Sequence, residues 1–83
     1  MQNIPETLMH AARNSQRVVV RFEGTGVPGS EYERELEPYG VKDGELIAFS
    51  YYLDEFRTVP LQNIHDVQVT DRTFSPRRPV IES

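Results

Sequence analysis

Four glutamates at alternate positions, Glu31, Glu33, Glu35 and Glu37, form the densest set of chemically capable side chains in this chain. Carboxylates can share acid and base work when their surroundings push their pKa values apart. In an extended strand, however, a period of two puts all four on one face and Tyr32, Arg34 and Leu36 on the other. The acidic row then reads as a solvated strand face. The two histidines, His10 and His65, share no ligand spacing with carboxylates, and there is no cysteine. Neither a metal site nor a thiol nucleophile is indicated, and His65 reads as an exposed strand residue. No serine stands in a nucleophile-elbow setting. The expectation is a protein with no catalytic machinery and no cofactor.

Gly24, Gly26 and Gly29 spell a G-x-G-x-x-G after an apolar stretch. The dinucleotide fingerprint needs a helix N-terminus after those glycines, inside a long strand-helix-strand unit. Here Pro28 and the glutamate alternation follow, so residues 24–30 read as a hairpin loop.

Eight of the nine basic residues are arginine, with Lys42 the exception. Most can pair with the abundant glutamates; the guanidinium fork also suits carboxylate and phosphate. Phe49, Tyr51, Tyr52 and Phe56 cluster near Arg57, an arrangement that can stack bases of single-stranded nucleic acid or simply fill a core. With Asp54-Glu55 as a two-residue turn, Tyr52 would face Arg57 in a cation–π contact. Pro76-Arg77-Arg78-Pro79 fits a PxxP pattern, which short sequences often meet by chance.

These residues need elements to hold them. Residues 4–14 read as a short helix: Pro5 and Glu6 suit its first turn, and Ile4, Leu8, Ala11 and Ala12 share one face. Such a helix must dock on something, most simply the open end of a barrel or sheet. Residues 17–23 form a strand with Val18, Val20 and Phe22 inward. Residues 31–37 form the next. A hairpin with Glu23 opposite Glu31 sets Arg21 against Glu33, Arg17 against Glu37, Phe22 against Tyr32 and Val18 against Leu36. It also sets Arg34 opposite Val20 on the apolar face, where a charge needs either a buried partner or an opening to water. Arg34 is thus the first candidate for function.

Glu37-Pro38-Tyr39-Gly40 reads as a turn, and Lys42-Asp43-Gly44 carries a hairpin signal. Residues 45–53 form an aromatic strand with Ile47, Phe49 and Tyr51 on one side. Residues 56–59 make a short strand ended by Pro60, 61–63 a 3₁₀ turn, and 64–70 the last strand, with Val67 and Val69 inward. Phe74 is expected to plug the core after a turn at Asp71-Arg72. The tail, 75–83, reads as extended or frayed. The fold expected is mainly β: a short N-terminal helix, then a five-stranded Sm-like (Src-homology-3-like) barrel over 17–74, all one domain across 1–83.

A chain of 83 residues makes one domain at most. Its net charge of −4 argues against non-specific duplex binding, which needs a broad basic field. No apolar run has the length of a membrane span and no signal-peptide pattern is present, so a cytoplasmic, non-membrane protein is expected.

From Val18 onward the chain resembles WYL domains, small Sm-like barrels usually appended to winged-helix transcription regulators of bacteria. The resemblance rests on Arg34-Glu35-Leu36-Glu37-Pro38-Tyr39-Gly40-Val41, similar to the family's R-x-x-E-P-Y-G-L turn, and on Leu46-Ile47-Ala48-Phe49-Ser50-Tyr51. It also rests on Glu55 to Ile64, similar to the family's R-T-F-R-L-D-R-I segment, and on Val67-Gln68-Val69 and Phe74. The Trp-Tyr-Leu signature itself is reduced to Leu46, and Pro60 and Asn63 stand where the family has arginines. The resemblance implies a non-enzymatic, ligand-sensing regulatory module. Its site would draw on Arg34, Phe49, Tyr51, Arg57 and Asn63, with Arg72 a further basic residue. The occupant would be a small anionic ligand or single-stranded nucleic acid, and the signal would pass to a regulator partner or a homodimer. The lost arginines leave open a second reading, a protein-interaction module without ligand binding.

Overall fold

A computed structural model describes residues 3–24 and 29–81; Thr25 to Pro28, the middle of the expected hairpin loop, lie outside them. Helix α1 (Ile4–Arg13) begins where Asn3 accepts the Glu6 N–H on its side chain, with Pro5 in the first turn. Its buried Leu8, Ala11 and Ala12 lie on the expected apolar face. Five antiparallel strands follow: β1 (Gln16–Glu23), β2 (Glu31–Lys42), β3 (Glu45–Ser50), β4 (Glu55–Pro60) and β5 (Ile64–Thr73), with a 3₁₀ turn over Leu61–Asn63. They form one sheet in the order β4-β3-β2-β1-β5, barrel-like but not closed. The core comprises Leu8 and Ala11 of α1 together with Val18, Val20, Leu36, Leu46, Ala48, Val59, Ile64 and Val67. This is the expected class, a short helix on a bent five-stranded β structure.

The β1–β2 register is the one read from charge and apolar alternation: Val18 pairs with Leu36, Val20 with Arg34, Arg21 with Glu33, Phe22 with Tyr32 and Glu23 with Glu31. The ion pairs run diagonally instead of straight across, Arg21 to Glu31 and Arg17 to Glu35. Asp43 and Gly44, both at positive φ, make the tight β2–β3 hairpin.

Residues 37–40 are not a turn. Strand β2 runs straight through them, pairing with β1 up to Leu36 and with β3 from Leu36 to Lys42, with a bulge between Pro38 and Gly40. Proline has no N–H for a ladder and is accommodated at such a bulge. Past Leu36, β1 has left the strand's other edge, so the missing donor is not needed. Sharing one long strand between two partners is what bends the sheet.

Several further expectations are corrected. Strand β3 stops at Ser50, and Tyr51 to Asp54 form a four-residue turn in place of the two-residue one, because Ser50 Oγ accepts the Leu53 N–H and Asp54 takes a positive φ. Ala48, not Tyr52, is therefore the partner of Arg57. Strand β5 continues through Asp71 and Arg72 to Thr73, which pairs with Gln16, so no turn lies there. Val69 on this edge strand is 39% exposed, while Val67 is buried. Phe74 does not enter the core; its ring lies 5.6 Å from that of Tyr39 on the outer side of the sheet. The tail, expected to be extended or frayed, is bound as far as Ile81. It crosses the outer face, and the Ile81 N–H donates to the Tyr39 carbonyl at 2.7 Å in a parallel bridge to Gly40.

Candidate functional site

Strand alternation divides the expected site residues between two faces. Arg34 shares its side of β2 with Leu36, and the cleft they border also receives Arg57 of β4. Phe49 and Tyr51 point to the opposite side of the sheet. Asn63 sits in the 3₁₀ turn and is not among the residues lining the cleft. Arg72, on β5, ion-pairs with Glu35 on the outer face.

The cleft encloses about 420 Å³. Phe22, Leu36 and Val59 give it apolar walls continuous with the core, and Tyr32, Tyr52 and Leu53 form its rim. The Arg34 guanidinium stands 4.4 Å from the Tyr52 ring centroid and 5.3 Å from that of Tyr32, and donates to the Glu33 carbonyl at 3.0 Å. Among the described residues no carboxylate ion-pairs with it. Among the described residues Arg57 pairs with Glu55, at 3.3 Å, and both side chains are more than half exposed. Such pairs are worth little and exchange easily for another anion. The charge placed opposite Val20 is thus resolved by an opening to water. What results is two guanidiniums beside an aromatic and aliphatic hollow, suited to a ligand with an anionic end and a planar or apolar body.

On the outer face Glu37, only 3% exposed, is the organising group. It does not belong to a solvated row, as the alternation had suggested. Tyr51 Oη donates to its Oε2 at 2.5 Å and Tyr39 Oη to its Oε1 at 2.8 Å. The Arg77 guanidinium closes the set, with Nε 3.0 Å from Oε1 and Nη2 3.5 Å from Oε2. Burial alone would raise this carboxyl, but the bonds from Tyr51, Tyr39 and Arg77 outweigh it and hold it below its ordinary value. Burial and the neighbouring carboxylate push both tyrosine hydroxyls up, so they remain protonated donors. Phe49 packs edge-on to Tyr51 and Phe56, and its face carries the Arg77 guanidinium at 3.8 Å. Beside it, Glu35 is held low mainly by its hydrogen bond from Arg72, with Arg17 adding to it; Arg17 also lies over the Tyr51 ring at 5.0 Å.

Sequence reasoning did not single out Glu37 or Arg77 as partners. The local signal was Pro38, which requires a bulge if the strand continues, and a bulge puts Glu37 and Tyr39 beside each other. Nothing local linked them to a residue forty positions on. Among the described residues no group of three His, Asp or Glu side chains could hold a metal ion, and no helix is long and apolar enough to cross a membrane. Compared with known proteins, the chain matches no family model and no curated protein sequence.

Proposed function

We propose that this protein is a non-enzymatic ligand-sensing module of the WYL kind, binding a nucleotide or a short single-stranded nucleic-acid fragment in the cleft beneath Arg34. The observation that carries the reading is Arg34 itself: a guanidinium between two tyrosine rings, unpaired by any described carboxylate, at the mouth of an apolar hollow. Arg34 and Arg57 supply the phosphate contacts. Tyr52, 73% exposed, supplies a stacking face for a base. The helix, the strand order and the 3₁₀ turn between β4 and β5 support an Sm-like architecture around it.

The test is fluorescence anisotropy with a labelled mononucleotide and with single-stranded DNA and RNA of about ten nucleotides, a length within the span that small barrels engage. Two phosphate contacts on a single strand give a slope of log K against log salt of about −1.4, and each of Arg34→Ala and Arg57→Ala takes away about half of it. Binding that ignores both substitutions refutes the reading. No binding at low salt gives the surface to protein contacts, for which Tyr52 and Leu53, both exposed, are the nearest apolar anchors.

A further inference from the structure

The outer face holds a built site whose occupant is the chain's own tail. Three features of it are independent of the cleft, which opens on the opposite side of the sheet. The first is Glu37, a carboxylate buried under two tyrosines and turned toward a guanidinium. The second is the face of Phe49, over which that guanidinium lies at 3.8 Å from the ring centroid. The third is the edge of β2 past Leu36, which β1 has vacated; there the Tyr39 carbonyl takes the Ile81 N–H, and the Tyr39 hydroxyl takes the Arg77 N–H at 2.9 Å. Side chain and backbone are therefore both read, the usual logic of an extended peptide laid on a strand edge. The planar fork and the ring face select arginine over lysine.

The occupant is held lightly. Residues 75–79 are exposed, and the Arg77 side chain is 45% exposed while Glu37 beneath it is buried. An open hollow of about 470 Å³ lies alongside, bordered by Ile47, Phe56, Arg57, Thr58 and Arg78; Arg57 and Thr58 of the edge strand β4 border the Arg34 cleft as well. The tail leaves the end of β5 at Thr73, and a backbone change around Phe74 and Ser75 is enough to send it elsewhere.

We propose that this face is a docking site for an extended arginine-bearing segment, closed in cis by residues 75–81, and that its occupant in trans is the same segment of a second copy of this chain. The second copy is favoured because its tail reproduces every contact already made, and exchange of an identical element needs no new interface. In cis the tail acts at an effective concentration of about a millimolar, so the closed monomer dominates dilute solution.

A labelled peptide of residues 74–81 tests the site, titrated into full-length protein whose folding is followed by far-UV circular dichroism. With a docking constant of about 100 μM, the cis tail weakens binding to the wild type about tenfold relative to the Arg77→Ala protein. Arginine 77 replaced by lysine in the peptide weakens binding, and adding Glu37→Gln or, if that variant unfolds, Tyr51→Phe to the Arg77→Ala protein weakens it as well. Absence of peptide binding to Arg77→Ala, or equal binding to all variants, overturns the site. Sedimentation of an equimolar mixture of the Arg77→Ala protein (site intact, tail disabled) and the Glu37→Gln protein (tail intact, site disabled) tests the occupant. A heterodimer absent from either protein alone supports exchange between copies. Monomers throughout, with the peptide still bound, overturn the second copy as partner. Neither outcome touches the Arg34 cleft.

Discussion

Replacing Glu37 by glutamine keeps the side chain's shape and removes its charge, so the effect isolates what the buried carboxylate contributes. It accepts from Tyr51 at 2.5 Å, Tyr39 at 2.8 Å and Arg77 at 3.0 Å. A hydrogen bond to a charged group contributes about 1.5–3 kcal/mol, and a neutral one about 1. Glutamine retains one oxygen and presents an amide from which one hydroxyl can reverse to accept, so the two tyrosines keep at most neutral bonds, and the Arg77 guanidinium loses its ion pair. The share of Arg77 must be discounted because its side chain is 45% exposed and water replaces the lost partner. Tyr39 keeps its bond from the Arg77 N–H. What remains is roughly 1–4 kcal/mol, from the weakening of the two tyrosine bonds. A chain of this size has about 4–12 kcal/mol of total stability. The expected fall in Tm is roughly 4–30 °C, at about 4–8 °C per kcal/mol for a small domain. Urea unfolding followed by far-UV circular dichroism measures the change, with an unaltered m-value as the sign that compactness is kept. A loss below about 0.5 kcal/mol refutes the reasoning: it means the cost of desolvating the carboxylate cancels what its three donors return.

The same group sets a pH dependence. The native carboxyls of Glu37 and Glu35 lie below the ordinary value of 4.5, so their stabilisation is complete above that value and is lost as pH falls through the lower native pKa. The urea midpoint should therefore fall with acidification below about pH 4.5, more gently in Glu37→Gln, where only the Glu35 share is left. Gly40→Ala adds a Cβ that meets the Ile81 carbonyl, at a φ of +152° that side chains disfavour. A cost of order 1–3 kcal/mol is expected, with the tail displaced and trypsin cleavage between Arg77 and Arg78 accelerated; cleavage at the wild-type rate counts against the bridge to Ile81.

Patterns of period two and 3.6 were legible wherever one neighbouring element decided the outcome. The register of β1 on β2 could be read from Arg21, Phe22 and their partners because a hairpin fixes pairing by simple counting. The helix expected over 4–14, found at Ile4–Arg13, could be read from Pro5, Glu6 and the spacing of Ile4, Leu8, Ala11 and Ala12. Failures came where a residue answered to a distant one. Pro38 and Gly40 look like a turn in isolation, and become a bulged strand only because β3 supplies the ladder on one side while β1 has departed from the other. Ser50 ended β3 through a side-chain bond to the Leu53 backbone, which alternation does not encode.

The candidate residues divide along the same line. Arg34 was found because its position contradicted its face, a local conflict that a single strand displays. Glu37 was missed because it agreed with its row. It shares a period of two with Glu31, Glu33 and Glu35, yet Glu31 and Glu33 stay exposed and Glu35 half-buried under its arginines while Glu37 is buried, and the difference is the tail that lies on it. A carboxylate is tolerated there only because Tyr39 of the same strand, Tyr51 of the turn after β3 and Arg77 of the tail converge to satisfy it. The C-terminal arginines, unremarkable as a PxxP pattern, therefore do what no strand of the sheet does: they turn an acidic surface position into a buried recognition point, and they leave it only as well closed as a seven-residue strap can hold it.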